Sequence, residues 1–141
     1  MLWNVRFVDH GKLYFDCAFG PEECHGLKLH ACAIDILKNI SQSEFYNSCM
    51  MNGTWGGKGS TDKDAINCGN IMKINSKPII ECANSARADA LLEYYGIETD
   101  KVTNPRYKAM PLILLNGKKF DSDNLMKTIC QTLSKPPPEC K

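Results

Sequence analysis

Cys17-Ala18-Phe19-Gly20-Pro21-Glu22-Glu23-Cys24-His25-Gly26-Leu27-Lys28-Leu29-His30-Ala31-Cys32 sets three cysteines in one short frame. Gly20-Pro21-Glu22-Glu23 reads as a helix start. Proline is preset for the first turn, and the two carboxylates sit at the positive end of the helix dipole. Apolar residues then recur at Ala31, Ile34, Leu37 and Ile40, so the spacing predicts a helix over 22–40. On that helix Cys24 and Cys32 lie about 12 Å apart at the usual rise per residue. A disulfide needs Cα atoms within about 7 Å, so these two cannot bridge each other. Cys24, in the first turn, can reach back to Cys17, whereas Cys32 needs a partner from a distant segment.

The 141-residue chain carries eight cysteines in all, at 17, 24, 32, 49, 68, 82, 130 and 140. No Cys-x-x-Cys occurs, which excludes an internal redox pair of that type and a zinc-finger half-site. An even number at irregular spacing points to up to four disulfides and an oxidising compartment. On the order of a hundred connectivities stay open. Two sequons, Asn39-Ile40-Ser41 and Asn52-Gly53-Thr54, make Asn39 and Asn52 candidate N-glycosylation acceptors and point the same way. Met1-Leu2-Trp3-Asn4-Val5-Arg6 lacks the apolar core and small-residue cleavage site of a secretory signal. The oxidised reading therefore expects further sequence upstream of Met1; the competing reading is a cytosolic protein with free thiols.

With 17 Lys+Arg against 16 Asp+Glu, the formal charge of +1 gives no basic footprint for nucleic acid or an anionic membrane. The longest apolar runs, such as Ile113-Leu114-Leu115, are far short of the roughly 20 residues that span a bilayer. The length fits one domain, residues 1–141, and 43% hydrophobic residues suffice for a core.

Elsewhere, residues 2–8 alternate, with Trp3, Val5 and Phe7 on an apolar face, and Trp3 and Phe7 read as core. Asp9-His10-Gly11-Lys12 is a turn, and Leu13-Tyr14-Phe15 begins a second strand. Residues 41–77 are the least readable, and Gly53, Gly56, Gly57 and Gly59 mark a loop. Gly56 to Thr61 fails the phosphate-loop pattern, because Lys58 is not followed directly by Ser or Thr. Ala86, Ala90, Leu91 and Tyr94 predict a helix over 84–95 with Gly96 as its cap. The Leu112–Leu115 run, which reads as core, is followed by Asn116-Gly117 and Lys118-Lys119-Phe120, the strongest hairpin signal in the chain. Asp121-Ser122-Asp123 can cap a last helix over 123–133. Pro136-Pro137-Pro138 ends it, and Cys140 staples the tail. His25 and His30 lack further ligands at suitable spacing and read as surface residues, not a metal site. Cys24 reads as half of a disulfide, since Glu22 and Glu23 would raise a thiol pKa.

The frame from Cys17 to Cys32 resembles the hallmark of the gamma-interferon-inducible lysosomal thiol reductase (GILT) family, Cys-Gln-His-Gly-x-x-Glu-Cys-x-x-Asn-x-x-x-x-Cys. Cys17, Gly20, Glu23, Cys24 and Cys32 are in register, while Ala18, Phe19 and Leu27 stand where the family has Gln, His and Asn. Tyr107-Lys108-Ala109-Met110-Pro111-Leu112-Ile113-Leu114-Leu115-Asn116-Gly117 is similar to the family's segment around its cis-proline. The stretch from Cys130 to Cys140 is similar to the family's end, so the resemblance covers essentially the whole chain. It implies an α/β, thioredoxin-like fold with a cysteine-rich helical insertion, the N-terminal strand and helix missing. It also implies a cis Met110–Pro111 bond facing substrate, no cofactor and no metal. The implied function is reduction of disulfides in other proteins, in a secreted or lysosomal setting. There a low-pKa thiolate attacks the substrate disulfide and a second cysteine resolves the mixed disulfide. The family's redox Cys-x-x-Cys precedes the segment that Leu2–Val8 resembles, so no catalytic residue is assigned within this chain. The alternative is a redox-inactive, secreted, disulfide-rich binding protein on the same scaffold. A missing strand would leave a sheet edge open to pairing with another chain.

Overall fold

Two glycine-containing turns close the hairpins that the sequence marks. The computed structural model describes residues 5–52, 58–102, 113–120 and 122–140. Strands β1 (Val5–Asp9) and β2 (Lys12–Asp16) pair antiparallel, with Val5 opposite Asp16 and Asp9 opposite Lys12. His10 and Gly11, at φ 47° and 76°, make the two-residue link. Left-handed values at both central residues match the right-handed strand twist of a tight hairpin. Strands β3 (Ile113–Leu115) and β4 (Lys118–Phe120) repeat the device through Asn116 and Gly117, at φ 51° and 76°.

Helices make up most of the rest. Between the hairpins lie α1 (Pro21–Leu37), α2 (Ile40–Asn52), α3 (Asp62–Met72), α4 (Lys77–Ala83) and α5 (Ala86–Val102). After β4 a short 3-10 turn, Ser122–Asn124, leads into α6 (Leu125–Thr132), and a second, Pro138–Cys140, ends the described chain. The described residues fall into two compact units, 5–102 and 113–140. Four disulfides brace them: Cys17–Cys24, Cys32–Cys82 and Cys49–Cys68 in the first, Cys130–Cys140 in the second.

The core of the first unit is built from small residues and sulfur. Leu29, Cys32 and Ala33 of α1 meet Tyr46 and Met50 of α2, Ala65 and Cys68 of α3, Ile79, Cys82 and Ala83 of α4, and Ala88 of α5. Among the described residues, Tyr46, Leu29, Met50 and Ile79 are the largest fully enclosed apolar side chains. Each contributes about 1.5–3 kcal/mol by burial, so the bridges between helices carry an unusual share of the stability. The Tyr46 hydroxyl donates to the Ala65 carbonyl at 2.7 Å, which satisfies the one polar atom this ring brings inside. Burial pushes that phenol up to about 12.

Several elements differ from the reading of the sequence. Helix α1 stops at Leu37, where Lys38 turns left-handed at φ 52°. Ile40, expected on the α1 stripe, opens α2 instead and is 77% exposed. Ile34 is also exposed; the inward face runs through Leu29, Cys32 and Ala33. Gly96 caps nothing, because α5 continues through it to Val102. The inward residues of α5 are Ala88 and Leu92, while Ala86, Ala90 and Tyr94 face out. Alanine fits either face, so the alanine stripe was an ambiguous signal. The least readable stretch, 41–77, contains all of α2 but its first residue, the whole of α3 and the first residue of α4. Trp3 and the side chain of Phe7 lie outside the described residues.

Candidate functional site

The link from β2 into α1 is built by the cysteine frame, each residue with a local task. The Gly20 N–H donates to the Cys17 carbonyl at 3.0 Å, closing a turn. Gly20 itself sits at φ 93°, ψ −170°, a conformation in which a side chain would be strained. Pro21 then opens the helix. The Glu23 carboxylate accepts the Phe19 backbone N–H at 2.8 Å, so it ties down the loop as well as favouring the helix dipole. The Cys17–Cys24 bridge, with Cα atoms 5.6 Å apart, closes the same loop, and both cysteines are buried.

Further along α1, Cys32 crosses to Cys82 of α4, and Cys49 of α2 crosses to Cys68 of α3, each with Cα atoms 5.9 Å apart. Cys24 and Cys32 do not pair with each other, as the helix geometry requires. Cys140 staples the tail to Cys130, as expected. All eight cysteines are in bridges, so none of them stands ready as a thiolate.

Helix α1 also lies hard against the segment that leads into α3. A Cβ on Gly26 would come within 2.6 Å of the Ser60 nitrogen and 2.9 Å of its oxygen. A Cβ on Gly59 would come within 2.9 Å of the Glu23 Cα. This is backbone against backbone, and side chains lock it. His25 Nε2 pairs with Asp62 Oδ1 at 2.7 Å, and His30 Nε2 is hydrogen-bonded to Ser60 Oγ at 2.9 Å. Thr61 caps α3 reciprocally: its hydroxyl accepts the Asp64 N–H, while the Asp64 carboxylate accepts the Thr61 N–H. Both histidines are therefore half-buried and structural, not surface residues. Desolvation lowers the His30 pKa from 6.5, and the Asn47 side chain beside it opposes that shift. His30 Nδ1 and Asn47 Oδ1 are buried without a hydrogen-bond partner among the described residues.

Pro21, Cys24, His25 and Lys28 of α1, with Ala86 and Asp89 of α5, line an open cleft of about 520 Å³ beside the Cys17–Cys24 bridge. That volume is in the range of small-molecule and peptide sites. Lys28 and Asp89 pair across it at 2.6 Å. The sulfur of Cys24 is held in its bridge, so this cleft presents no thiol. Among the described residues no group of three or more His, Cys, Asp or Glu side chains is placed to hold a metal ion.

Asn39 is exposed immediately before α2, and Asn52 is exposed as its last residue. Met110 and Pro111 lie outside the described residues. Sequence reasoning did not find Asn47, Ser60, Asp62 or the Lys28–Asp89 pair. One signal was available: Thr61-Asp62-Lys63-Asp64 has a threonine followed three residues later by an acid, the pattern of a capped helix start.

A family model described as "Gamma interferon inducible lysosomal thiol reductase (GILT)" matches residues 4–72. The chain is 35% identical to GILT-like protein 1 of Drosophila melanogaster, over 94% of its own length and 59% of that protein's. It is 31% identical to the gamma-interferon-inducible lysosomal thiol reductase-like protein of Anopheles gambiae, over 89% of this chain and 58% of that one. To GILT-like protein 2 of Drosophila melanogaster it is 28% identical, over 81% of this chain and 49% of the relative. The chain thus spans about half to three-fifths of the length of these curated relatives.

Proposed function

The chain belongs to the GILT family, and on that premise we propose that it is the disulfide-braced part of a thiol reductase acting on disulfides of other proteins. The observation that carries the reading is the frame of Cys17, Gly20, Glu23, Cys24 and Cys32, in which every matched residue has a structural task. The redox Cys-x-x-Cys that this chemistry needs is not within these 141 residues, so the proposal places it elsewhere in the complete protein. Residues 1–141 would belong to a single thioredoxin-like domain, with the Met110–Pro111 bond cis and facing the substrate. The proposed setting is secreted or lysosomal, where bridges persist and Asn39 and Asn52 carry glycans. No described helix is long and apolar enough to cross a membrane.

The test is the complete transcript together with its product. A reading frame that adds a Cys-x-x-Cys, and a product whose turnover of a protein disulfide is lost when either cysteine becomes alanine, would support the proposal. A frame that opens at Met1, without such a pair, would overturn it. The pairing of all eight cysteines favours a second reading, a redox-inactive secreted binding protein on the same scaffold. Turnover by the 141-residue chain itself, abolished by thiol blocking, would exclude that alternative. Concentration-dependent association in light scattering would support pairing through a hairpin edge, and a monodisperse monomer would count against it.

A further inference from the structure

Helix α2 starts directly after Asn39, and the Asn39 side chain is what starts it. Its Oδ1 accepts the Gln42 N–H at 3.0 Å, and its backbone carbonyl accepts the Ser43 N–H at 2.9 Å. That is the arrangement of an N-cap, for which asparagine is among the best residues. Only the oxygen of the amide is used; among the described residues no acceptor takes a hydrogen bond from Nδ2. The residue is exposed, and Asn39-Ile40-Ser41 is a sequon whose Ser41 is also exposed and takes no part in the cap.

We propose that Asn39 carries an N-linked glycan in the folded protein while still capping α2, with nitrogen bonded to the sugar and oxygen to the helix. The inference rests on the passage through an oxidising secretory compartment proposed above. The chemistry divides along the same line. In transfer from a polyprenyl-pyrophosphate-linked oligosaccharide, the bond from the anomeric carbon to the pyrophosphate oxygen breaks. A bond from that carbon to Nδ2 forms, and one amide proton leaves. Oδ1 keeps its lone pairs and the cap survives. Helix α2 brings Tyr46, Cys49 and Met50 to the core, so a modification that broke its cap would loosen the packing of the whole first unit.

The experiment expresses this chain through a secretory pathway behind a cleavable signal and reads site occupancy by glycopeptide mass spectrometry, then thermal unfolding by circular dichroism. Ser41→Ala removes the sequon and leaves the cap. Asn39→Asp loses the glycan and keeps a good cap, while Asn39→Ala loses both. The expected result is occupancy at Asn39 in the parent chain, absent from all three variants. Parent, Ser41→Ala and Asn39→Asp should share a midpoint, and Asn39→Ala should melt lower by about 4–8 °C. Occupancy at Asn52 with none at Asn39 would overturn the inference while leaving the secretory reading intact. No occupancy at either site would overturn both. A glycosylated parent melting as low as Asn39→Ala would show the cap broken. Should Asn39→Ala fail to fold, comparison of parent with Ser41→Ala still decides the matter.

Discussion

Replacing Cys32 and Cys82 together by alanine should destabilise the first unit by about 4 kcal/mol, the value expected for opening a loop of this length. The two cysteines are separated by 50 residues and tie α1 to α4. The Cys49–Cys68 bridge lies inside that loop and shortens its working length to about 32 residues, which lowers the figure by only about 0.4 kcal/mol. The informative control is the pair Cys17 and Cys24, separated by 7 residues, for which the same relation gives about 2.4 kcal/mol. Exposure is 0% and 8% for Cys32 and Cys82, against 5% and 9% for Cys17 and Cys24. Packing losses in the two double variants are therefore similar, and loop length is the variable. Both tryptophans, Trp3 and Trp55, lie outside the described residues, so far-UV circular dichroism of the helices in a urea titration is the assay. At a slope of about 1–3 kcal/mol per molar urea, the two variants should have midpoints separated by roughly 0.5–1.5 M. Equal losses, or a larger loss for Cys17 and Cys24, would show that constraint of the unfolded chain is not what these bridges supply.

Two glycine substitutions should move stability in opposite directions. Gly26→Ala drives a methyl to 2.6 Å from the Ser60 nitrogen and should cost about 1–3 kcal/mol. Gly96→Ala, inside α5 with nothing within 4 Å of the new Cβ, should gain about 0.5–1 kcal/mol. Urea midpoints of the two variants check the pair, and two shifts of the same sign would contradict the packing argument. The pH dependence follows from His30, whose folded pKa is depressed below 6.5. As pH falls through 6.5 the unfolded chain takes up the proton first, so stability drops until the folded pKa is passed and is fully present only above 6.5. His30→Asn should flatten the loss between pH 7.5 and 5, and unchanged slopes in parallel urea titrations would refute it. On graded reduction, Cys130–Cys140, whose residues are only half-buried, should open before the buried Cys32–Cys82 bridge. Stepwise alkylation with mass spectrometry reads the order, and the reverse order would contradict it.

The legible parts of this chain were those in which the local chemistry admits one answer. Asn116-Gly117 permits the left-handed pair of torsions that a two-residue hairpin needs, and Gly20-Pro21 permits a helix start; both are where they were expected. The exclusion of a Cys24–Cys32 bridge followed from helix rise alone. Helix α2 was illegible for a physical reason. Its inward face is Ser43, Tyr46, Cys49 and Met50, and its outward face includes Phe45 and Met51, so apolar residues do not mark one side. The Cys49–Cys68 bridge lies on the inward face with the buried Tyr46 and Met50. The site was hidden similarly. His25 and His30 have partners 37 and 30 residues away in the chain, and only the close approach allowed by Gly26 and Gly59 brings them together.

The nesting of Cys49–Cys68 within Cys32–Cys82 also sets a problem in time. The Cys17–Cys24 pair is complete as soon as residue 24 is exposed to oxidant, and it removes two thiols from competition. Cys32 then waits. At about 5–20 residues per second, the fifty residues before Cys82 take roughly 3–10 s to be made, and disulfide chemistry already runs on a scale of seconds. During that interval Cys49 and then Cys68 are the available partners for Cys32. On the secretory reading proposed above, packing of α2 on α3 would withdraw both, and an inner bridge closed at that stage would leave Cys32 for Cys82.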